Sequence, residues 1–280
     1  MFDLDSPGRY RLGRAPLAQA LAQVRFPLIA HLHTLSGVAP VQDRLRGLFP
    51  YMEQQSVQEF ALQIGPGPAV ASPEVETSVT WEFKDDDGRL VVLAPGSATL
   101  SVGDQYSGVE DFADRFRQVI EALTAVEALR RCDRLGVRYL SLAEPPPGDA
   151  QAWSQWFRPE LTGWIASGIL APDTSVTASI SQTQLAAPPS DDLSILPGDV
   201  SGVVRNGFVG PNTAIPGVPP ITTSQSAYLL DLDFFVVVPQ TFDVTALLDQ
   251  FLALHGQIDR FFKWTLTSDG REYFGYEEIA

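Results

Sequence analysis

The chain is 280 residues long, 45% hydrophobic and 19% charged, which is enough to bury one large core or two joined lobes. Its formal net charge of −15 argues against nonspecific attraction to nucleic acid, because phosphate binding draws its affinity from Lys and Arg replacing counterions. No apolar run approaches the roughly 20 residues that span a bilayer, and the single cysteine, Cys132, excludes an intramolecular disulfide and a cysteine-based zinc cluster.

The first residues carry Asp3 and Asp5 and no apolar core, so they do not read as a secretory signal, and the expected compartment is cytoplasmic. Leu17 to Phe26 alternates, with Ala18, Ala20, Ala22, Val24 and Phe26 on one face, as in a strand half-buried against a core. His31 and His33 follow in an expected surface loop. Pro40 stands at the expected start of a short amphipathic helix through Val41, Leu45, Leu48 and Phe49, stopped by Pro50. Ser56 to Ile64 and Thr77 to Phe83 read as strands, Gly65-Pro66-Gly67-Pro68 as a loop, and Asp87-Gly88 as the turn of a hairpin returning through Arg89 to Leu93. Ala98, Leu100 and Val102 mark a further strand. Val109 to Arg131 then carries Phe112, Phe116, Val119, Ile120 and Leu123 at helical spacing.

The second half begins with a strand, Leu135 to Leu142. After the break at Pro145-Pro146-Pro147-Gly148, a helix is expected over Ala152 to Ser167, with Pro159 as its kink or true start. Its Trp153, Trp156, Phe157 and Trp164 read as core, with an exposed partner surface as the other option. Val176 to Leu185 and Ala227 to Val238 are strand-like. Between them, residues 186–224 form an insertion with too many prolines and glycines for continuous sheet, and only Val200 to Val209 looks extended. A long helix is expected from Val244 to Lys263, then a tail strand within Leu266 to Tyr276 after an Asp269-Gly270 turn.

Two markers recur. Val24-Arg25-Phe26 returns as Val137-Arg138-Tyr139, and Phe112, Asp114, Phe116, Val119 and Leu123 return as Leu247, Asp249, Phe251, Leu254 and Ile258. The offset is larger for the second marker, which assigns the excess to the insertion. The expected fold is therefore α+β: an internal duplication of a β-α-β-β-β-α unit, spanning 1–132 and 133–280 as one two-lobed body. Antiparallel sheets would carry long helices on one side, by analogy with TATA-binding-like and gyrase-inhibitor-like folds.

Ala15-Pro16-Leu17 running into Val24-Arg25-Phe26-Pro27, Phe49-Pro50-Tyr51, Tyr106-Ser107-Gly108 with Phe112, Arg134 to Tyr139, Leu230-Asp231-Leu232-Asp233, and Leu254-His255 with Ile258 and Phe261-Phe262 carry a resemblance over nearly the whole chain. It is to a sporadically distributed, functionally uncharacterised bacterial family of about this length. The resemblance implies no activity; the patchy distribution implies an association with mobile elements, phage defence or a toxin-antitoxin-like pair. That family's pattern has Arg-Tyr-Ile-Asn on the central strand, where this chain has Arg138-Tyr139-Leu140-Ser141.

Arg25 and Arg138 occupy equivalent repeat positions, and a guanidinium on a partly apolar strand face needs a carboxylate or an anionic ligand. Asp231 and Asp233, two apart and so on one strand face, are candidate internal partners; a structural ion network and a ligand site both remain open. With His255, the two aspartates could instead serve a metal-dependent or acid-base hydrolase. Cys132, among Arg130, Arg131 and Arg134, reads as incidental rather than as a nucleophile. No nucleophile elbow, phosphate loop or dinucleotide fingerprint is present. The leading expectation is a non-enzymatic binding or adaptor protein that recognises a protein partner or a small anionic ligand at the cleft between the halves through Arg25, Arg138, Asp231, Asp233 and His255. An antitoxin or immunity protein, whose acidic surface covers a basic toxin, is the third. No cofactor, metal, membrane or nucleic acid is expected as a partner, and homo-oligomerisation is left open.

Overall fold

Alternating segments become strands and 3.6-period segments become helices in the computed structural model, which describes all residues except 3, 5–7, 60–75, 127, 147–152, 172–173, 175, 190–192, 212, 214–224 and 280. In chain order the elements are β1 (Tyr10–Leu12), β2 (Leu17–Arg25), a 3-10 turn (Ala30–His33), α1 (Leu35–Leu45), β3 (Tyr51–Glu59), β4 (Glu76–Lys84), β5 (Leu90–Ala94), β6 (Ser97–Val102), α2 (Val109–Leu123), β7 (Arg131–Cys132) and β8 (Arg134–Ala143). There follow α3 (Trp153–Trp156), α4 (Pro159–Thr162), a 3-10 turn (Gly163–Ala166), β9 (Ala178–Ala187), β10 (Val200–Val209), β11 (Ala227–Val236), β12 (Gln240–Thr241), α5 (Val244–Thr265), α6 (Ser268–Phe274) and β13 (Tyr276–Glu278). The fold is α+β with antiparallel sheet pairing.

The chain divides into two compact units. One holds Gln23–Arg134 with Pro239–Val244; the other holds Met1–Ala22, Leu135–Val238 and Thr245–Ala280. The chain crosses from the second to the first within β2, so its opening residues belong with the later strands.

In the Gln23–Arg134 unit, β3, β4, β5 and β6 form an antiparallel meander. α1 begins at Leu35, before Pro40, because the Thr34 side chain caps it by accepting from Gly37 N–H at 3.1 Å. Pro40 therefore lies inside the helix, and His31 and His33 sit in the 3-10 turn that precedes it. α2 buries Phe112, Phe116, Val119, Ile120 and Leu123. It stops at Leu123, short of the expected Arg131, where Thr124 Oγ1 and Arg44 Nη1 both donate to the Glu121 carbonyl and take up a helix-end acceptor. The outer part of the expected Ser56–Ile64 strand and the Gly65–Pro68 loop lie outside the described residues.

In the other unit the sheet order is β9-β10-β11-β8. β11 turns Tyr228, Leu230, Leu232, Phe234 and Val236 into a core, and α5 supplies Leu247, Phe251, Leu254 and Ile258 as its buried stripe. Each such fully buried side chain contributes about 1.5–3 kcal/mol. The Tyr228 ring stacks against Trp153 at 5.3 Å and Phe157 at 4.5 Å between centroids. The single helix expected over Ala152 to Ser167 is broken in three: Arg158 is extended (ψ 145°), as a residue before proline prefers, and Pro159 starts a new turn. In the tail, Asp269-Gly270 is not a hairpin turn. The Thr267 side chain caps α6 by accepting from Gly270 N–H at 3.0 Å, and a Cβ at Gly270 would come within 2.2 Å of the Trp156 carbonyl oxygen, so a helix start packs there. The strand comes later, as β13 pairing with β1. At Gly207 of β10, with φ 150°, a Cβ would lie 1.8 Å from the Ser179 carbonyl oxygen, so glycine is required for β10 to lie against β9.

The N-terminal strand is also tied to α5. Tyr10 Oη donates to Asp259 Oδ1 at 2.6 Å, and burial holds this carboxyl above the ordinary aspartate range, against the Tyr10 hydrogen bond and the Lys263 charge. The folded state thus binds the Asp259 proton more tightly than the unfolded chain does. The stability this contributes is fully present below the unfolded value and lost as pH rises through the folded one. Asp259→Asn, which keeps an acceptor for Tyr10, is expected to match wild type in thermal midpoint at acid pH and to exceed it at about pH 7. A lower midpoint at neutral pH would show that the charged hydrogen bond outweighs burial.

Candidate functional site

Arg138 is paired with Asp231, one of the two aspartates named as its candidate partners. Asp231, at the centre of β11, has no exposed surface, and it accepts from Arg138 Nε at 2.7 Å and Arg138 Nη2 at 2.8 Å in a two-pronged contact. Arg205 Nη1 reaches the same carboxylate at 2.9 Å, and Arg205 Nε donates to Gln182 Oε1 at 2.7 Å. The register explains the row: Gln182 opposes Arg205, Arg205 opposes Asp231, and Arg138 on β8 opposes Asp233 one step along. Two guanidiniums, 16% and 15% exposed, thus flank one buried carboxylate. Strand parity puts Asp233 on the same face, half-buried.

His255 does not join them. Its ring lies 5.5 Å from that of Tyr139, and Tyr139, adjacent to Arg138 in β8, points to the opposite face of the sheet. Asp231 and His255 are therefore on different sides, and the convergence that the hydrolase reading requires is not formed. Arg25 falls in the other unit, exposed, with Nε donating to Gln23 Oε1 at 3.0 Å. Cys132 is buried, its Sγ donates to the Arg134 carbonyl at 3.2 Å, and burial pushes the thiol up to about 11, so it is not a thiolate nucleophile at neutral pH. Among the described residues no group of three or more His, Cys, Asp or Glu is placed to hold a metal ion.

A different feature occupies the helix-bearing face of the β9-β10 pair: a groove of about 490 Å³. Its floor is the outward face of β9, where Ser179, Ser181 and Thr183 recur every second residue, continued by Val204 and Asn206 of β10. Its walls include Phe2, Phe261 and Trp264, and the Glu160–Ile165 segment with Trp164. Phe2 is held by stacking on Phe261 at 4.7 Å and by an edge contact with Phe234 at 5.8 Å. Trp264 is backed by Arg158, whose guanidinium sits 5.2 Å from the indole and donates to the Trp264 carbonyl.

The second wall is clamped. Asn206 Nδ2 donates to the Leu161 carbonyl at 2.9 Å and to Tyr228 Oη at 3.1 Å, and Tyr228 Oη donates to the same carbonyl at 2.9 Å. Burial pushes the Tyr228 hydroxyl up to about 12, against the lowering effect of Asn206, so it stays a donor. Of the four aromatic residues expected as core, Trp153, Trp156 and Phe157 are buried, while Trp164 is 62% exposed at the groove. Among the described residues, Glu160 is the one ionisable side chain lining the groove. Sequence reasoning missed Arg205, Asn206 and the groove. The Ser179, Ser181, Thr183 alternation and an exposed Trp164 were the available signals, but neither names a neighbour.

Comparison with protein-family models, curated proteins and solved structures gives no match to this chain. The site is accordingly defined by its own geometry. Removing the Asp231 carboxylate takes the shared counter-charge from two largely buried guanidiniums, so Asp231→Ala is expected to lower the unfolding free energy by about 3–5 kcal/mol in urea titration. A loss below about 1 kcal/mol would mean that both arginines find other partners or water.

Proposed function

We propose that this is a non-enzymatic binding protein whose recognition site is the groove over β9 and β10, taking an uncharged ligand with a stackable face and hydrogen-bonding groups along its rim. The observation that carries the reading is Trp164, a large indole left 62% exposed at the mouth of a concavity whose floor is hydroxyl and amide. Binding sites combine apolar and aromatic walls with a few fixed polar groups, as here. An indole face, electron-rich at its centre, pairs with C–H or ring edges, while Ser179, Ser181 and Thr183 offer hydroxyls about 7 Å apart along the strand. A neutral saccharide fits this combination.

The anionic ligand expected from the arginines is less well supported, since Asp231 already engages Arg138 and Arg205 and no cationic side chain is among the described residues lining the groove. The duplication also belongs to this proposal. Its support is that β8, the α3 to α4 segment, β9 to β12 and α5 follow the order strand, helix, four strands, helix, as do β2, α1, β3 to β6 and α2, each with one strand more than the expected unit. A link to mobile elements or defence rests on the sequence resemblance alone.

Tryptophan fluorescence during titration with neutral oligosaccharides tests the reading. Saturable quenching is expected in wild type, with affinity at least tenfold weaker in Trp164→Ala, the loss of one aromatic anchor being worth more than about 1.4 kcal/mol. No saturable response to any neutral saccharide, or an undiminished one in Trp164→Ala, would refute it.

A further inference from the structure

β9 is the terminal strand of its sheet, paired with β10 at all ten positions and, among the described residues, with no strand on its other side. A row of backbone N–H and C=O groups along a free edge is a template for another strand, and proteins that remain monomeric block it with charges, proline or bulges. β9 carries none of these. Its sequence, Ala178-Ser179-Ile180-Ser181-Gln182-Thr183-Gln184-Leu185-Ala186-Ala187, has no charged residue and no proline, and most of it is exposed, Ile180 included.

The geometry points to a second copy of this chain as the occupant, paired antiparallel through β9 about a two-fold axis perpendicular to the sheet. The argument is electrostatic and then geometric. With a net charge of −15 per chain, two copies repel across most contacts between their surfaces, whereas a ten-residue uncharged strand brings backbone groups together with no like charges opposed. A two-fold of this kind keeps each sheet face on the same side, so paired residues share parity. Centring it on Gln182 places Gln182 opposite itself, Ser181 opposite Thr183, Ile180 opposite Gln184 and Ala178 opposite Ala186. Every pair is neutral, and the hydroxyl row of one groove floor continues into that of the other copy. The inference stands independently of what the groove binds.

Sedimentation analysis of the full chain tests it, with a species of twice the 30.5 kDa chain mass as the expected result. Two surface variants then probe the register, since residue 180 of one copy faces residue 184 of the other. Ile180→Glu with Gln184→Glu opposes like charges twice and is expected to shift the protein to monomer. Ile180→Lys with Gln184→Glu opposes unlike charges twice and is expected to remain dimeric. Both positions are exposed, and unchanged thermal midpoints confirm that each variant folds. A monomeric wild type overturns the inference and leaves the edge to a strand of another protein. A dimer that survives in the Glu/Glu variant, or is lost equally in both variants, overturns it as well.

Discussion

A carboxylate with no exposed surface in the middle of an antiparallel sheet is tolerated only if its charge and lone pairs are met by donors held in place. Asp231 meets that condition through two guanidiniums delivered by the strands on either side, β8 and β10, one of them two-pronged. Isolated charge burial costs several kcal/mol per ion, so this arrangement constrains register more than it adds net stability. A one-residue slip of β11 would carry Asp231 to the face of Tyr228, Leu230 and Leu232 and expose that apolar row on the other. The polar triad and the apolar row are thus two readings of the same register. Because β10 is fixed by it, Asn206, the next residue after Arg205, is fixed on the opposite face, where it clamps the wall of the groove.

Much of this was legible in the sequence where local signals agreed. Alternation along β8, β10 and β11 marks strands, and an arginine and an aspartate on apolar strand faces predict each other as partners. Arg205 was invisible because it lies in a stretch dominated by prolines and glycines, where no pairing partner can be inferred. The side on which His255 lies was not legible for a different reason: a helical stripe fixes which face of α5 is buried but not which face of the sheet it covers. Local competition accounts for the rest. Thr34 and Thr267 each begin a helix by side-chain capping, so Pro40 lies inside α1 and Asp269-Gly270 opens α6. In both places a proline or glycine rule was overridden by a cap one or two turns away.

The groove could not have been read, because no contiguous motif forms it. Its lining comes from the N-terminus, the α4 region, β9, β10 and the end of α5, segments brought together only by the fold. Such sites leave a sequence trace only through residues that are individually unremarkable: alternating Ser and Thr on a strand, or a tryptophan at the edge of an aromatic cluster. The trace becomes interpretable once Trp153, Trp156 and Phe157 are seen to be buried and Trp164 is not.

The two faces of the β9-β10 pair also differ in what can change their chemistry. On one face opposite charges are held together largely out of solvent, where salt screens them little. On the groove face the polar partners are hydroxyls and amides, and the one phenol in the clamp, Tyr228, is raised by burial far above neutral pH. Apart from Glu160, the described lining offers shape, stacking faces and neutral hydrogen-bonding groups, none of which titrates or screens appreciably across the ordinary physiological range. On the proposed reading, an acidic chain whose groove and exposed edge strand are nearly free of charge separates two tasks: the charged surface holds molecules apart, and the neutral strand and groove define where contact is allowed.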